Sequence, residues 1–121
     1  MIRVLLADDN DTLREALAEA LEDQPGIRVV GHATDGRMAC REAVVLDPDV
    51  VVMDIRLPVM SGPEATAWLT GHCPAIRVIG LTAHDDDALH QAMTRAGAVA
   101  VLVKGASIDQ IVGTILSSVA A

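Results

Sequence analysis

Two adjacent aspartates, Asp8 and Asp9, follow directly after a run of aliphatic residues in the segment VLLADDND. Two carboxylates about 4 Å apart repel each other by about 4 kcal/mol at an effective dielectric constant of ~20. A hard divalent cation removes this cost, because Mg²⁺ takes oxygen ligands and is usually held by one or two carboxylates together with water or phosphate oxygens. The acid pair therefore indicates a candidate magnesium site.

Three further polar residues each follow an apolar run, as the acid pair does. They are Asp54 in VVVMDIRLP, Thr82 in VIGLTAH and Lys104 in VLVKG. Lys104 is the only lysine in the chain, and an ammonium group is a compact charge that suits a phosphate oxygen. Acids, a hydroxyl and an ammonium fit phosphoryl transfer better than acyl transfer or redox chemistry.

Each of these side chains has an ordinary explanation when it is taken singly. Asp8, Asp9 and Asp11 would favour the positive end of a following helix, and the other residues would sit in a solvated loop or at a strand end. The acidic run Asp85–Asp87 lies where a helix should begin, and the helix dipole explains it. Phosphoryl chemistry is favoured only if the other candidates converge in space.

Alternating strands and helices would produce that convergence. Short β-branched runs predict five buried strands over residues 2–6, 27–30, 50–53, 76–81 and 99–103. Helical periodicity or capping signals predict helices at 13–21, 37–46, 64–70, 89–96 and 108–119. The apolar stripe of the first helix is predicted to be Leu13, Ala16, Leu17, Ala20 and Leu21.

This alternation is typical of a doubly wound α/β domain, in which helices cover both faces of a parallel sheet. Ligands of such sheets bind beyond the carboxyl ends of the strands. The candidate residues all fall at predicted strand ends, so we expect them at one edge of the sheet.

Composition narrows the class of protein. A chain of 121 residues suits one domain. Its formal charge of −8 would repel a phosphate backbone, which argues against nucleic-acid binding by this domain itself. The apolar runs are too short for a membrane helix and no signal peptide is evident, so we expect a cytoplasmic protein. Cys40 and Cys73 are expected to be reduced, buried thiols.

The chain resembles the receiver domain of bacterial two-component response regulators over essentially its whole length. The resemblance rests on LLADDN, VVMDIRLPVMSGPEA, LTAH and GAVAVLVKG, in that order and with receiver-like intervals. It implies a flavodoxin-like, five-stranded parallel sheet of order 2-1-3-4-5. It also implies a phosphoacceptor domain with its own phosphorylation and dephosphorylation chemistry, not a conventional enzyme.

The resemblance assigns the acceptor and the metal ligands. Asp54 would take a phosphoryl group from the phosphohistidine of a sensor histidine kinase. Asp9 and Asp54 would bind Mg²⁺ directly together with the backbone carbonyl of Arg56, whereas Asp8 would act mainly through bound water.

The resemblance also implies a switch. Lys104 would pair with the phosphoryl oxygens, and Thr82 would move to hydrogen-bond them, which biases the face made by helix four, strand five and helix five. That face could support a homodimer. Arg56 and His84 would flank the approach to the acceptor and tune the attack of water on the acyl phosphate.

Four positions bear on the loops and on the output. Pro58 and Gly62 match the receiver pattern, where the loop after the acceptor turns sharply; Gly62 would allow a positive φ or close backbone packing. Val101 stands where receivers commonly carry Tyr or Phe, which leaves the output coupling open. Gly105 replaces a common proline. Gly105 and the final segment ILSSVAA together resemble the corresponding part of NarL/LuxR-type transcription regulators. This resemblance implies a longer protein with a C-terminal DNA-binding domain.

Two other functions stay open at this point. A haloacid dehalogenase-like phosphatase also uses an aspartate nucleophile and Mg²⁺, and residues 9–12 (DNDT) almost match its first motif with Asp9 as nucleophile. A receiver-like interaction module would bind partners without phosphorylation, and Val101 is consistent with it.

Overall fold

Strands and helices alternate along the chain as the sequence predicts. The computed structural model describes residues 1–83 and 87–119, so the predictions for His84, Asp85 and Asp86 lie outside the described residues. The strands are β1 (Ile2–Ala7), β2 (Ile27–Ala33), β3 (Val50–Asp54), β4 (Arg77–Thr82) and β5 (Ala100–Val103). The helices are α1 (Asp11–Glu22), α2 (Gly36–Leu46), α3 (Gly62–His72), α4 (Asp87–Ala96) and α5 (Ile108–Val119).

All five strands pair in parallel in the order β2-β1-β3-β4-β5, which confirms the predicted flavodoxin-like topology. Helices α2, α3 and α4 pack on one face of the sheet, and α1 and α5 pack on the other. Ala7 pairs with Met53, and Asp54 pairs with Leu81. The carboxyl ends of β1, β3 and β4 therefore line up at one edge of the sheet.

The prediction that all five strands are buried is wrong for the two outer strands. Every residue of β3 is buried, whereas no residue of β5 is. Val99 and Val103 are 51% and 45% exposed. Because β2 and β5 have a strand neighbour on one side only, their apolar residues are less completely covered than those of the central strands.

The predicted apolar stripe of α1 is only partly correct, because Leu21 is buried and Leu17 packs partly buried against the core. Leu13 is 49% exposed, and the buried residues of the helix are Arg14, Ala18 and Leu21. Four of the five predicted residues line an apolar groove of about 260 Å³ between α1 and α5: Leu13, Ala16, Leu17 and Ala20. The helix is therefore rotated so that an arginine faces the sheet.

Side-chain caps fix the start of the helices around the carboxyl edge. The Asn10 side chain caps α1 by accepting a backbone hydrogen bond. The spacing of Ser61 with Glu64 and of Ser107 with Gln110 is that of a capping box, and each serine Oγ accepts from the N–H three residues on, at 3.3 Å and 3.1 Å. Only Ser107 forms the reciprocal bond, because its N–H donates to Gln110 Oε1 at 3.0 Å. The third helix begins at Gly62, two residues before the predicted start.

The loop between β3 and α3 turns as sharply as Pro58 and Gly62 suggest. The Met60 N–H donates to the Pro58 carbonyl at 2.7 Å across Val59, whose φ is +69°, as in a γ-turn. Gly62 is required for close packing and not for a positive φ, because a Cβ atom there would lie 2.6 Å from the Asp54 carbonyl oxygen.

Two predictions from composition can be compared with the structure. Both cysteines are free thiols; Cys40 is buried as expected, but Cys73, the residue after α3, is only half-buried. Burial raises the pKa of the Cys40 thiol to about 11. Among the described residues, no helix combines the length and apolar character needed to cross a bilayer.

Candidate functional site

The candidate residues lie at the carboxyl edge of the sheet because each ends or follows a strand. Asp8 follows β1 directly, Asp54 and Thr82 are the last residues of β3 and β4, and Lys104 follows β5. Since the four strands are parallel neighbours in the order β1-β3-β4-β5, their ends present these side chains to a common space. Asp9 is the first residue of the turn from Asp8 into α1.

Lys104 is bound by two of the three acids. Its Nζ lies 3.0 Å from Asp54 Oδ2 and 3.1 Å from Asp8 Oδ2. Carboxylate oxygens of Asp8, Asp9 and Asp54 all lie within 4.8 Å of one another. The site thus brings three negative charges and one positive charge together.

Burial raises the free-energy cost of this excess negative charge. Asp8, Asp54 and Thr82 are 8%, 5% and 6% exposed, and Asp9 is exposed. Two backbone groups stabilise the carboxylates, because the Asn10 N–H donates to Asp8 Oδ1 at 2.9 Å and the Arg56 N–H donates to Asp54 Oδ1 at 3.2 Å. These donors also fix the orientation of the two side chains.

Burial and the neighbouring charges shift the pKa values of Asp54 and Lys104. Burial raises the pKa of Asp54 above its ordinary value, and Lys104 and the Arg56 N–H offset only part of that effect. Burial alone would lower the pKa of Lys104, but the carboxylates of Asp54 and Asp8 outweigh it and raise that pKa. The two directions are compatible because Lys104 gains two carboxylate partners, whereas Asp54 shares one ammonium with a second acid.

The residues present fit a small, hard divalent cation. The donor set consists of carboxylate oxygens, two of them buried and one open to solvent, and such oxygens are the ligands that Mg²⁺ prefers. An additional positive charge would also compensate the excess of acid. Asp8, Asp9 and Asp54 are therefore the side chains that could hold the ion; the role of the Arg56 carbonyl stays a prediction.

Thr82 and Lys104 are joined through the main chain. The Lys104 N–H donates to the Thr82 carbonyl at 2.6 Å, so a shift of either residue is transmitted to the other. Val101 lies next to Gly80, two residues before Thr82, and packs on the core shared by α2, α3 and α4. The structure thus brings together the side chains of Asp8, Asp9, Asp54 and Lys104. Thr82 ends the strand beside Asp54, and His84 lies outside the described part of the chain.

Sequence reasoning missed two residues beside the acids. The guanidinium of Arg14 is buried and donates to the backbone carbonyl of Asp8 at 2.8 Å and to His32 Nδ1 at 3.1 Å. From the sequence, His32 is interpreted as an ordinary polar residue. Arg14 is buried on the same face of α1 as Ala18 and Leu21, but the apolar stripe of that helix competes with this orientation, so hydrophobic patterning held no signal for Arg14.

Replacing Asp9 with asparagine is expected to stabilise the protein in Mg²⁺-free solution, because it removes one of three mutually repelling charges. The same change should reduce the rise in melting temperature that MgCl₂ produces. Thermal unfolding with EDTA and with MgCl₂ measures both effects, and Glu19→Gln, an exposed acid on α1, serves as the control. A variant that keeps the full Mg²⁺ response would show that Asp9 is not a ligand.

Comparison with known proteins agrees with this geometry. Residues 4–116 match the response regulator receiver domain model. The chain is 38% identical over 117 residues to the transcriptional regulatory protein LnrK and 41% identical over 115 residues to the transcriptional regulatory protein LiaR, both of Bacillus subtilis. These alignments cover 97% and 95% of this chain, but the chain spans only about half of each relative, 53% and 54%.

A solved response regulator structure has the same fold as this chain. The two-component response regulator of the LuxR family from Aurantimonas sp. SI85-9A1 superimposes with a TM-score of 0.89 at 33% identity, covering 95% of this chain and 82% of that one. The fold, the strand-end residues and the match over residues 4–116 together show that the chain belongs to the response regulator receiver domain family.

Proposed function

We propose that this receiver domain accepts a phosphoryl group onto Asp54 from a sensor histidine kinase, in a reaction that requires Mg²⁺. The observation that carries the proposal is the position of Asp54, a 5% exposed carboxylate 3.0 Å from Lys104 and within 4.8 Å of two other acids. An acid in this setting is costly to the free protein. The cost is understandable if the site is built to gather positive charge and phosphoryl oxygens.

The residues divide the chemistry among them. An oxygen of Asp54 forms the new bond to phosphorus while the phosphorus–nitrogen bond of the donor histidine breaks, and the imidazole takes up a proton as it leaves. Lys104 remains close to the developing charge on the phosphoryl oxygens. Mg²⁺, when bound, would neutralise charge on the carboxylates and on the transferred group. Asp8 and Asp9 hold the site acidic enough to attract it.

Phosphorylation would then act as a switch through Thr82 and Lys104. A hydrogen bond to a charged group is worth about 1.5–3 kcal/mol, whereas moving a population from 1:99 to 99:1 takes about 5.5 kcal/mol. At least two new contacts are therefore needed, and these two residues can supply them. Their backbone hydrogen bond of 2.6 Å supports a joint movement of the ends of β4 and β5.

The output is proposed to be control of transcription by a longer cytoplasmic protein. LnrK and LiaR are transcriptional regulatory proteins about twice as long as the aligned region, which supports a further region beyond this domain; we propose that it is a C-terminal DNA-binding domain. The net charge of −8 favours DNA contact through such a domain only. The exposed apolar residues Val99 and Val103 support a homodimer through α4, β5 and α5.

Phosphorylation of the intact protein tests the proposal. The chain is incubated with MgCl₂ and acetyl phosphate and weighed by mass spectrometry beside Asp54→Asn and a control, Asp23→Asn, at an exposed acid at the end of α1. One added phosphoryl group on the wild type and the control, and none on Asp54→Asn, is the expected result. Labelling of Asp9 with repeated turnover would indicate a phosphatase, and no labelling at all would indicate a phosphorylation-independent module.

A further inference from the structure

Arg14 is a buried cation that the proposed reaction does not use. It is 8% exposed, and arginine is rarely buried unless it is paired. Its guanidinium bridges three acceptors: the Asp8 carbonyl at 2.8 Å, Asp11 Oδ1 at 2.8 Å and His32 Nδ1 at 3.1 Å. These acceptors belong to the turn after β1, to the first turn of α1 and to β2, so one side chain ties three segments together.

The contact with the Asp8 carbonyl acts on both members of the acid pair. That oxygen belongs to the peptide group between Asp8 and Asp9, so holding it fixes the peptide plane from which Asp9 projects. The Asp8 side chain has its own anchors in Lys104 and the Asn10 N–H. Among the residues that the structure describes, the Asp9 side chain has no hydrogen bond or ion pair. Asp9 is therefore oriented through its backbone.

We propose that Arg14 is a positioning residue that sets the Asp8–Asp9 turn, so that both carboxylates face Asp54 before a cation binds. The inference rests on the proposed Mg²⁺ site. Arginine suits this task because its planar fork can donate in several fixed directions and does not lose its charge. His32 accepts from the Nε of Arg14, and Asp11 pairs with the terminal nitrogen that also donates to the Asp8 carbonyl. These two contacts fix the orientation of the guanidinium.

Positioning and simple charge predict opposite effects of removing the arginine. A cation beside a metal site repels the metal, so a residue that acted only through its charge would weaken Mg²⁺ binding, and its loss would strengthen it. A positioning residue has the reverse effect, since its loss lets the Asp9 carboxylate turn away. Arg14→Met removes both the charge and the planar guanidinium, whereas Arg14→Lys keeps the charge and loses the guanidinium.

Mg²⁺ affinity, measured by isothermal titration calorimetry, separates these cases. Both variants are expected to bind Mg²⁺ about 10-fold more weakly than the wild type, as is usual when a group that orients a metal ligand is lost. In phosphorylation by acetyl phosphate, both variants should need more Mg²⁺ to reach half of their maximal rate. The rate at saturating Mg²⁺ should change less. Urea unfolding in EDTA, run in parallel, reports the structural cost separately.

A surface variant keeps the inference testable if Arg14→Met does not fold. His32→Ala removes an exposed acceptor and is expected to weaken Mg²⁺ binding less than the Arg14 variants do. It should add nothing further in the Arg14→Lys background if both act through one fork. Wild-type affinity in Arg14→Lys, or tighter binding in Arg14→Met, would overturn the inference. Absence of Mg²⁺ binding by the wild type would instead overturn the proposed function.

Discussion

Replacing Lys104 with methionine is expected to lower the free energy of unfolding in Mg²⁺-free solution by about 3 kcal/mol, the lower end of the range for breaking a buried ion pair. The loss leaves Asp8 and Asp54 buried beside Asp9 with no ammonium among them. The lower end applies because the Lys104 side chain is 21% exposed and water screens part of the interaction. Urea unfolding in EDTA measures the difference.

Magnesium should restore much of that stability. A divalent cation supplies the positive charge that the variant lacks, so MgCl₂ should raise the midpoint of urea unfolding more for Lys104→Met than for the wild type. Arg41→Met, at an exposed cation on α2, removes one positive charge away from the site and serves as the control. Equal Mg²⁺ responses in the wild type and Lys104→Met would show that Lys104 and the cation do not compensate the same acids.

The difference in unfolding free energy between Lys104→Met and the wild type should depend on pH through Asp54. Burial already raises the pKa of this carboxyl group, and in the variant the group also loses its ammonium partner. A carboxyl group whose pKa is higher in the folded than in the unfolded chain destabilises the fold above that pKa, and the penalty disappears as the pH falls through it. The gap between Lys104→Met and the wild type should therefore narrow in mildly acidic solution. It should persist at neutral pH.

The sequence was sufficient for the strand-end residues because parallel topology places them together. Once Asp8, Asp54, Thr82 and Lys104 were each assigned to the end of a strand, the geometry of an α/β sheet required them to share one edge. The structure agrees, with Lys104 within 3.1 Å of two of the acids. Strand assignment together with parallel topology was therefore enough to place these four residues at one edge of the sheet.

Periodicity was not enough to orient α1. In this alanine-rich helix, the predicted stripe of Leu13, Ala16, Leu17, Ala20 and Leu21 and a second stripe of Arg14, Ala18 and Leu21 overlap only at Leu21. A preference for apolar residues in the core selects the first stripe, yet the second faces the sheet. Arg14, on the second stripe, donates to the carbonyl of Asp8 at 2.8 Å. Such a contact between a side chain and a turn leaves no trace in hydrophobic patterning.

The burial of the outer strands could not be predicted for a different reason. The runs of residues 27–30 and 99–103 are as apolar as those of the central strands, so composition does not distinguish them. Their exposure depends on their place at the ends of the order β2-β1-β3-β4-β5. That order is a property of the whole chain and came from the family resemblance, not from any single segment.

Replacing Gly62 with alanine is expected to destabilise the protein by about 3 kcal/mol, the upper part of the usual range for overpacking. A Cβ atom at this position would lie 2.6 Å from the carbonyl oxygen of Asp54 and 2.6 Å from the Cα of Ile55. Both atoms belong to the backbone, so no side-chain rotation relieves the contact. The start of α3 and the end of β3 would have to move apart.

That movement should also reach the site, because the displaced carbonyl belongs to the proposed phosphoacceptor. We therefore expect Gly62→Ala to bind Mg²⁺ more weakly in addition to unfolding at lower urea concentration. Gly113→Ala is the matched control: Gly113 lies inside α5, its Cβ would meet nothing within 4 Å, and the change should stabilise the helix by up to about 1 kcal/mol. Stability within about 0.5 kcal/mol of the wild type for Gly62→Ala would show that the loop can open without cost. In that case, close packing against Asp54 would not be what requires a glycine at the start of α3.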